Sequence, residues 1–502
     1  MTSKTSWYGF LLAVGAASTA AEIAGLRFLA PLFGSSLPIW GSVIAIVIGG
    51  LAWGYTRGGQ LARRTVTVHD VHRYAALAAA LFLFMPLAFR LALTMRNEYF
   101  ATGLSSYLLA AFAISFLILL LPSITFGTVT PLAVQIEALL QGQPAGTVAG
   151  RVFTLTTIGS LLGILIPSFL TIPFLGTHAT TWIFALPVLL FALRSITTRH
   201  PLHTTTAFLI IAAIVSTLVP PRLDASVIFE DETQHQRVVV YERGHQRQLT
   251  FDTGFSIQSV ITDGTYADGY WDYLAALPVL LPPSADTSVL VLGAAASTTE
   301  RQLSRLWGNI RMFQFTSVDL DHDLFGIADT YFDPPPRTTI ASDARTFVAA
   351  DTNTYDLIVL DVYTREFAVP FHLATTEFFA EIQPRLHPGG IFAINVNAVS
   401  SDTLWLRSLG RTLNEVFEHT FLVHVPHSCN YLLLASSTPD LRVTSEVPEA
   451  VTPLIDALLS AAPPRTDGLL LTDNRSPTDM LGLLALIQQA PSGNNTEATC
   501  AA

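Results

Sequence analysis

Within its first 220 residues the chain runs through roughly seven stretches apolar and long enough, at about 20 residues, to cross a hydrocarbon core about 30 Å thick. Their approximate bounds are 8–29, 39–55, 74–94, 106–126, 152–170, 180–193 and 205–219. A peptide group left without a partner in lipid is costly, so each stretch is expected as a helix. Lys4 ahead of the first stretch looks like the start of a signal peptide, but the apolar run continues to Phe33 and a second follows at once, so it reads as a retained span. Composition agrees: half of the residues are hydrophobic and 13% charged, against about a quarter charged in soluble domains.

Small residues punctuate these spans. Gly159 and Gly163 stand in GxxxG spacing, and Gly49, Gly50 and Gly54 cluster in the second span, where they let helix backbones approach. Ionisable groups are few: Glu22 and Arg27 in the first span and Arg90 in the third. A charge in hydrocarbon costs at least about 2.5 kcal/mol, so Glu22 is expected to face the bundle interior with a polar partner or a proton. The loop 56–73 holds Arg57, Arg63, Arg64 and Arg73 against Asp70, whereas the loops near Ser36 and Gly176 hold no arginine or lysine. By the positive-inside rule the amino terminus is cytoplasmic in a multi-pass membrane protein, and seven spans then put the remainder of the chain on the far side; one span more or fewer reverses this.

After Pro220 the texture changes. Short β-rich runs begin, and most carboxylates behind the net charge of −11 lie beyond Asp224, an acidic balance that excludes nucleic acid as a partner. The expected organisation is a helical membrane domain over 1–221, a small β-hairpin subdomain over 222–278, an α/β Rossmann-like domain over 279–490 and a flexible tail over 491–502. Cys429 and Cys500 are far apart, and neither a disulfide framework nor a metal site follows from their spacing.

In the α/β part, the run Val289 to Gln302 is a hydrophobic strand ending at Gly293, then small residues, then a helix, so backbone N–H groups there can approach a ligand. A second strand ends at Asp319, where a Rossmann unit places an acid for ribose hydroxyls. Asp343 follows a third strand and Asp361 ends a fourth, and carboxyl ends of parallel strands are where such sheets bind ligands. His322, His372 and His387 have no metal spacing and read as surface or packing residues, and Phe378 and Phe379 read as core.

These runs resemble the spermidine synthases. The counterparts are Gly293, the Val318-Asp319-Leu320-Asp321 run, Ser342-Asp343-Ala344, and Tyr355-Asp356 with Asp361; Gln258, then Tyr270-Trp271-Asp272 and Leu277-Pro278, match upstream. Phe378-Phe379, Leu386 to Gly390 and the strand 391–396 look similar too. Glu22, Arg27, Gly34, the Gly50 to Gly54 segment and Arg63-Arg64, together with Leu471 to Pro477, resemble the membrane-fused branch of that family.

The resemblance implies a class I methyltransferase-like Rossmann fold and aminopropyl transfer from decarboxylated S-adenosylmethionine to an amine, without a metal. By position, Asp319 holds the ribose, Asp343 the adenine amino group, and Gln258 and the Gly293 loop the cosubstrate. Tyr270 and Asp361 take the attacking amine, with Asp361 as base. Two positions depart from the family: Ala296 and Thr364 stand where it carries aspartates. Two other readings stand beside this one: a methyltransferase using S-adenosylmethionine, and a catalytically silent binding or regulatory domain coupled to a transporter-like bundle. The expected partners are the lipid bilayer, a small amine or nucleoside ligand, and further copies of the chain.

Overall fold

The computed structural model describes residues 4–33, 37–94, 104–193, 201–218, 226–251, 256–308, 310–363, 369–444 and 446–489. The tail 491–502, Cys500, Thr364, Arg365 and the Pro220 boundary lie outside these residues, as does the Arg90 side chain. The chain divides into two compact units, one ending at Leu223 and the other starting at Asp224.

The first unit is helical. Its helices are α1 (Lys4–Phe33), α2 (Leu37–Leu61), α3 (Val68–Thr94), α4 (Leu104–Gln141), α5 (Ala145–Ile166), α6 (Ile172–Leu193) and α7 (Pro201–Leu218). Five helical stretches are long and apolar enough to cross a membrane: Lys4–Leu29, Ile39–Leu61, Val68–Phe89, Phe112–Gln141 and Ala145–Ala192. The last of these doubles back. A π-helical turn, Pro167–Thr171, joins α5 to α6, and at Gly176 the backbone leaves helical geometry with φ 79 and ψ 167. Thr180 Oγ1 then donates to Thr171 Oγ1 at 2.9 Å, whereas nine residues of straight helix rise about 13.5 Å. The run is therefore bent back at Gly176 into two arms, which contain the stretches 152–170 and 180–193 expected from the sequence.

Backbone contact decides which glycines matter. A side chain at Gly159 would collide with the carbonyl oxygen of Leu12, and one at Gly163 with that of Ala16, so α5 lies against α1 main chain to main chain. Gly54 meets Ile124 of α4 the same way, while Gly49 faces open space and has no such role. Glu22 is half-buried and makes no hydrogen bond or ion pair with the described residues, so the polar partner expected for it is not among them. Among the described residues, the buried carboxylate of Glu137 pairs with the partly exposed Arg151 at 2.9 Å, with Trp7 Nε1 donating to the other carboxylate oxygen at 3.1 Å.

The second unit opens with a four-stranded antiparallel sheet, β1 (Val227–Glu232), β2 (Arg237–Arg243), β3 (Gln246–Phe251) and β4 (Ile257–Thr262), ordered β1-β2-β3-β4. It is a meander of three successive hairpins. Helix α8 (Tyr270–Ala276) comes next; Leu274, Leu277 and Leu281 pack with Val289, Val291 and Trp307, inside the core of the larger sheet.

That larger sheet is built from β5 (Asp286–Leu292), α9 (Thr298–Trp307), β6 (Met312–Asp319), α10 (Asp323–Tyr331), β7 (Thr338–Ala341), α11 (Ala344–Ala350), β8 (Tyr355–Leu360), α12 (Thr376–Ile382), β9 (Leu386–Asn397), α13 (Leu404–Val416), β10 (His419–His424) and β11 (Asn430–Ser436), with α14 (Ile455–Leu459) and α15 (Thr478–Gln489) after it. Strand order is β10-β11-β9-β8-β5-β6-β7, parallel from β9 to β7, with β10 and β11 antiparallel. The direction of winding reverses between β5 and β8, and beyond the carboxyl ends of those strands an open parallel sheet leaves its crevice. Phe378 and Phe379 are fully buried in the core, as their apolar setting predicts.

The α1–α5 contact yields a test. Gly159→Leu must force the helices apart or leave strained rotamers, at about 1–3 kcal/mol, so thermal unfolding in detergent should show a lower Tm, while Gly49→Leu, pointing into open space, should leave it unchanged.

Candidate functional site at the carboxyl ends of the parallel strands

Gly293 closes β5 at a point where no other residue fits. Its φ is +86, in the left-handed region, and a Cβ there would strike the carbonyl oxygen of Asp361 beyond the end of β8. Asp361 N–H in turn donates to Leu292 O at 2.9 Å. The two strand ends are thus locked side by side, and the loop 293–297 and the Asp361 side chain share one crevice. Ala295 and Ser297 also hold positive φ, 45 and 63, a strain that clusters at functional loops.

The loop is stitched on both sides. Ala295 N–H donates to Asp319 Oδ2 at 2.9 Å, which ties it to β6. Ala296 N–H donates to Ser259 Oγ at 2.9 Å, and Thr298 Oγ1 accepts from Val260 N–H at 2.9 Å, which ties it to β4. That stitching brings Gln258 of β4 to the crevice. Thr233 Oγ1 donates to Asp321 Oδ2 at 2.6 Å and brings the β1–β2 turn with His235 and Gln236 there as well.

The result is a cavity of about 370 Å³ whose lining includes Gln258, Gly293, Asp319, Asp321, Asp343, Asp361, Tyr363 and His372. Its volume is typical of a small-molecule site. Five of the six residues singled out in the sequence line it. The sixth, Tyr270 at the start of α8, reaches it by donating its hydroxyl to Asp361 Oδ2 at 2.8 Å.

Each carboxylate has its own environment. Burial pushes Asp319 up to about 6, against the amides of Asp321 and Ala295 that favour its charged form. Burial likewise pushes Asp361 up to about 6, against the donors Asn395 Nδ2, at 2.9 Å, and Tyr270. Asn430 Nδ2 donates to Asn395 Oδ1 at 2.9 Å and so fixes which end of that amide faces Asp361. Asp343 goes the other way. Burial raises it, but the Thr346 amide and His372 outweigh burial and hold it below the usual carboxylate range. It is the N-cap of α11, accepting from Thr346 N–H at 3.0 Å, and its second oxygen meets His372 Nε2 at 2.9 Å. Burial, then the neighbouring Asp361, drives the hydroxyls of Tyr270 and Tyr363 well above the ordinary phenol value, so both stay protonated donors.

Four residues here escaped the sequence reading. His372 is no packing residue; it pairs with Asp343 in the cavity wall, and a solitary histidine carries no sequence signal of that. His387 binds Asp356, and His322 lies beside Asp323. Asn395 lies within a strand recognised as such, and Tyr363 lies two residues beyond Asp361, so their positions were available but their orientation was not. Asp321 sits in the Val318 to Asp321 run that marks the second strand end. Conversely, Asp356 binds Ser288 N–H and Oγ, both at 2.8 Å, at the opposite end of β8, and has no part in the cavity. Ala296 is 1% exposed and packs with Val238, Val240 and Leu324, so the residue standing for a family aspartate lies within apolar packing. Among the described residues no cluster of three or more His, Cys, Asp and Glu side chains is arranged to hold a metal ion.

Curated relatives match part of the chain, two of them as follows. A "Probable polyamine aminopropyl transferase" of Bifidobacterium longum is 26% identical over 292 residues, 53% of this chain and 64% of the relative. "Polyamine aminopropyltransferase 2" of Pseudomonas aeruginosa is 27% identical over 213 residues, 40% of this chain and 58% of the relative. The chain is thus similar to polyamine aminopropyltransferases. The chain spans less than two thirds of the length of both relatives. No family model matches. Among solved structures, a probable spermidine synthase from Corynebacterium glutamicum aligns at 19% identity and TM-score 0.40, covering 50% of this chain and 98% of that one.

The second unit depends on the absence of a side chain at Gly293. Gly293→Ala meets both an unfavourable φ and the Asp361 carbonyl, so it should destabilise the unit by at least about 1–3 kcal/mol. A fall in the Tm of the full chain checks this, and an unchanged Tm would mean that the two strand ends can part without loss.

Proposed function

We propose that the second unit transfers an aminopropyl group from decarboxylated S-adenosylmethionine to a small amine, and that the helices of the first unit hold it in a lipid bilayer. The observation that carries the reading is the convergence of Asp319, Asp343 and Asp361 on one cavity, with Tyr270 on Asp361. The ionisable side chains lining that cavity are four aspartates, Asp319, Asp321, Asp343 and Asp361, with His235, His372 and Tyr363, so the field inside favours cations. A sulfonium with an ammonium tail and a polyamine both meet that requirement.

In this reading Asp319 takes the ribose hydroxyls, Asp343 the adenine amino group, and Gln258 and the Gly293 loop the rest of the cosubstrate. The amine nitrogen, held by Tyr270 and Asp361, attacks the carbon beside sulfur. A C–N bond forms, the C–S bond breaks with its electron pair going to sulfur, and a neutral thioether leaves. The proton of the new ammonium passes to Asp361. A carboxylate with a pKa of about 6 suits that step, being largely ionised at neutral pH yet more basic than an exposed aspartate. Methyl transfer from S-adenosylmethionine is the second reading, and the small side chain of Ala295 in the lining leaves room for it; against it, the extra carboxylate of that molecule would enter a site already carrying four.

Calorimetry on the full chain in detergent separates these readings. Decarboxylated S-adenosylmethionine should bind and S-adenosylmethionine should bind more weakly; the reverse order supports methyl transfer, and no binding of either rejects both. Asp361→Asn should cut turnover about a hundredfold or more with the nucleoside affinity retained, and unchanged turnover removes Asp361 as base.

The pH profile gives an independent check. Asp361 and Asp319 both take protons near pH 6, so kcat/KM should fall below about that value. The Tyr270 hydroxyl favours the ionised form of Asp361, so its removal in Tyr270→Phe should raise the Asp361 pKa and move the acid limb to higher pH. A limb that stays or moves to lower pH contradicts the pairing.

A further inference from the structure

The segment Leu471 to Pro477, which resembles part of a membrane-fused family and has no place in the chemistry above, lies against the wall of the cavity. The segment it holds is 370–377, from which Pro370, His372 and Leu373 line the site. Five hydrogen bonds join the two directly or through Arg345. Ser476 Oγ donates to Phe371 O at 3.1 Å, and Thr376 N–H donates to Leu471 O at 3.0 Å. Thr375 Oγ1 donates to Asp473 Oδ1 at 2.8 Å, and Asp473 N–H donates to Glu377 Oε2 at 3.0 Å. Arg345 Nη1 donates to His372 O at 3.2 Å.

Arg345 is the centre of this arrangement. It stands two residues after Asp343, in the first turn of α11. Its fork engages both oxygens of Asp473, at 2.6 and 2.8 Å, and Glu381 at 2.7 to 3.2 Å, so all three nitrogens of the guanidinium are committed. Bidentate pairs of this kind fix direction as well as distance. Asp343 Oδ1 already accepts from the Thr346 amide and hydroxyl, which leaves Oδ2 as the oxygen facing the ligand, and His372 Nε2 sits on it at 2.9 Å.

We propose that the Leu471–Pro477 loop is a strap that sets His372 against Asp343, with Asp473 as its positioning residue, and that the His372–Asp343 pair determines how tightly the nucleoside end of the ligand is held. The inference rests on the nucleoside reading of the cavity. A ligand donor must share Asp343 Oδ2 with the imidazole, so affinity depends on where the imidazole stands. The charged groups around His372 are Asp343 across the cavity wall, Asp473 of the strap, and Arg345 of α11 on its carbonyl. Phe371 meets its ring edge-on at 5.3 Å.

Two measurements on the full chain in detergent test this. The first needs no ligand: modification of His372 by diethyl pyrocarbonate, read by mass spectrometry, should be several-fold faster in Asp473→Ala than in the parent chain, and in Ser476→Ala to a lesser degree. The second is calorimetry with decarboxylated S-adenosylmethionine. Asp473→Ala should change its Kd about tenfold while kcat at saturation stays within about twofold, and Asp473→Glu should restore part of the difference. In a His372→Phe background the same Asp473→Ala change should add less than about twofold, because no imidazole remains to be placed. Unchanged His372 reactivity, or full and independent effects of the two substitutions on Kd, would overturn the strap. Failure of the parent chain to bind the nucleoside would reject the function proposed above, and the His372 reactivity would then still decide whether the strap exists.

Discussion

The main chain of Gly293 lies directly against the carbonyl of Asp361, and every other feature of the site depends on that contact. Two parallel strands whose ends approach this closely cannot both carry side chains at the junction. With none at Gly293, the loop after β5 turns sharply, its amides reach Asp319 and Ser259, and the Asp361 carboxylate beyond β8 stands beside it. The reversal of strand order at the same place opens the sheet, so the carboxylates of three different strand ends share one hollow.

Electrostatics then distinguishes carboxylates that chemistry alone makes alike. Asp343, capping a helix and paired with His372, is held in its charged form. Asp319 and Asp361, more deeply buried, are each pushed to about 6 by loss of water that their hydrogen bonds only partly offset. The Asn430–Asn395 chain and the Tyr270 hydroxyl hold Asp361 in one orientation.

Much of this was legible in the sequence because it is periodic or local. Apolar stretches of spanning length announce helices; the alternation of strand-like and helical runs announces a parallel sheet; and an acid at a strand end falls near the crevice whatever the detail. Gly293, Asp319, Asp343 and Asp361 were found that way. His372 was not, because its partner lies 29 residues away and nothing in its neighbours marks it. Asn395 lies on a recognised strand, yet which way it points depends on β9 pairing with β11 and β8. Asp356, which shares a motif with Asp361, belongs to the opposite end of its strand, a distinction made only by the length of β8.

The sequence by itself determined what each segment could be: helix where lipid-compatible residues run long, strand where short apolar runs alternate with turns, and a cation-favouring second half from its carboxylates. Tertiary structure alone decided which of them meet. Glycines that look equivalent, Gly49 and Gly54, differ because only one faces another backbone. The physical reason is range. Hydrophobic periodicity and turn chemistry act between residues a few positions apart, whereas hydrogen bonds such as Asp343 to His372 and Arg345 to Asp473 act between residues that only the closed sheet brings together.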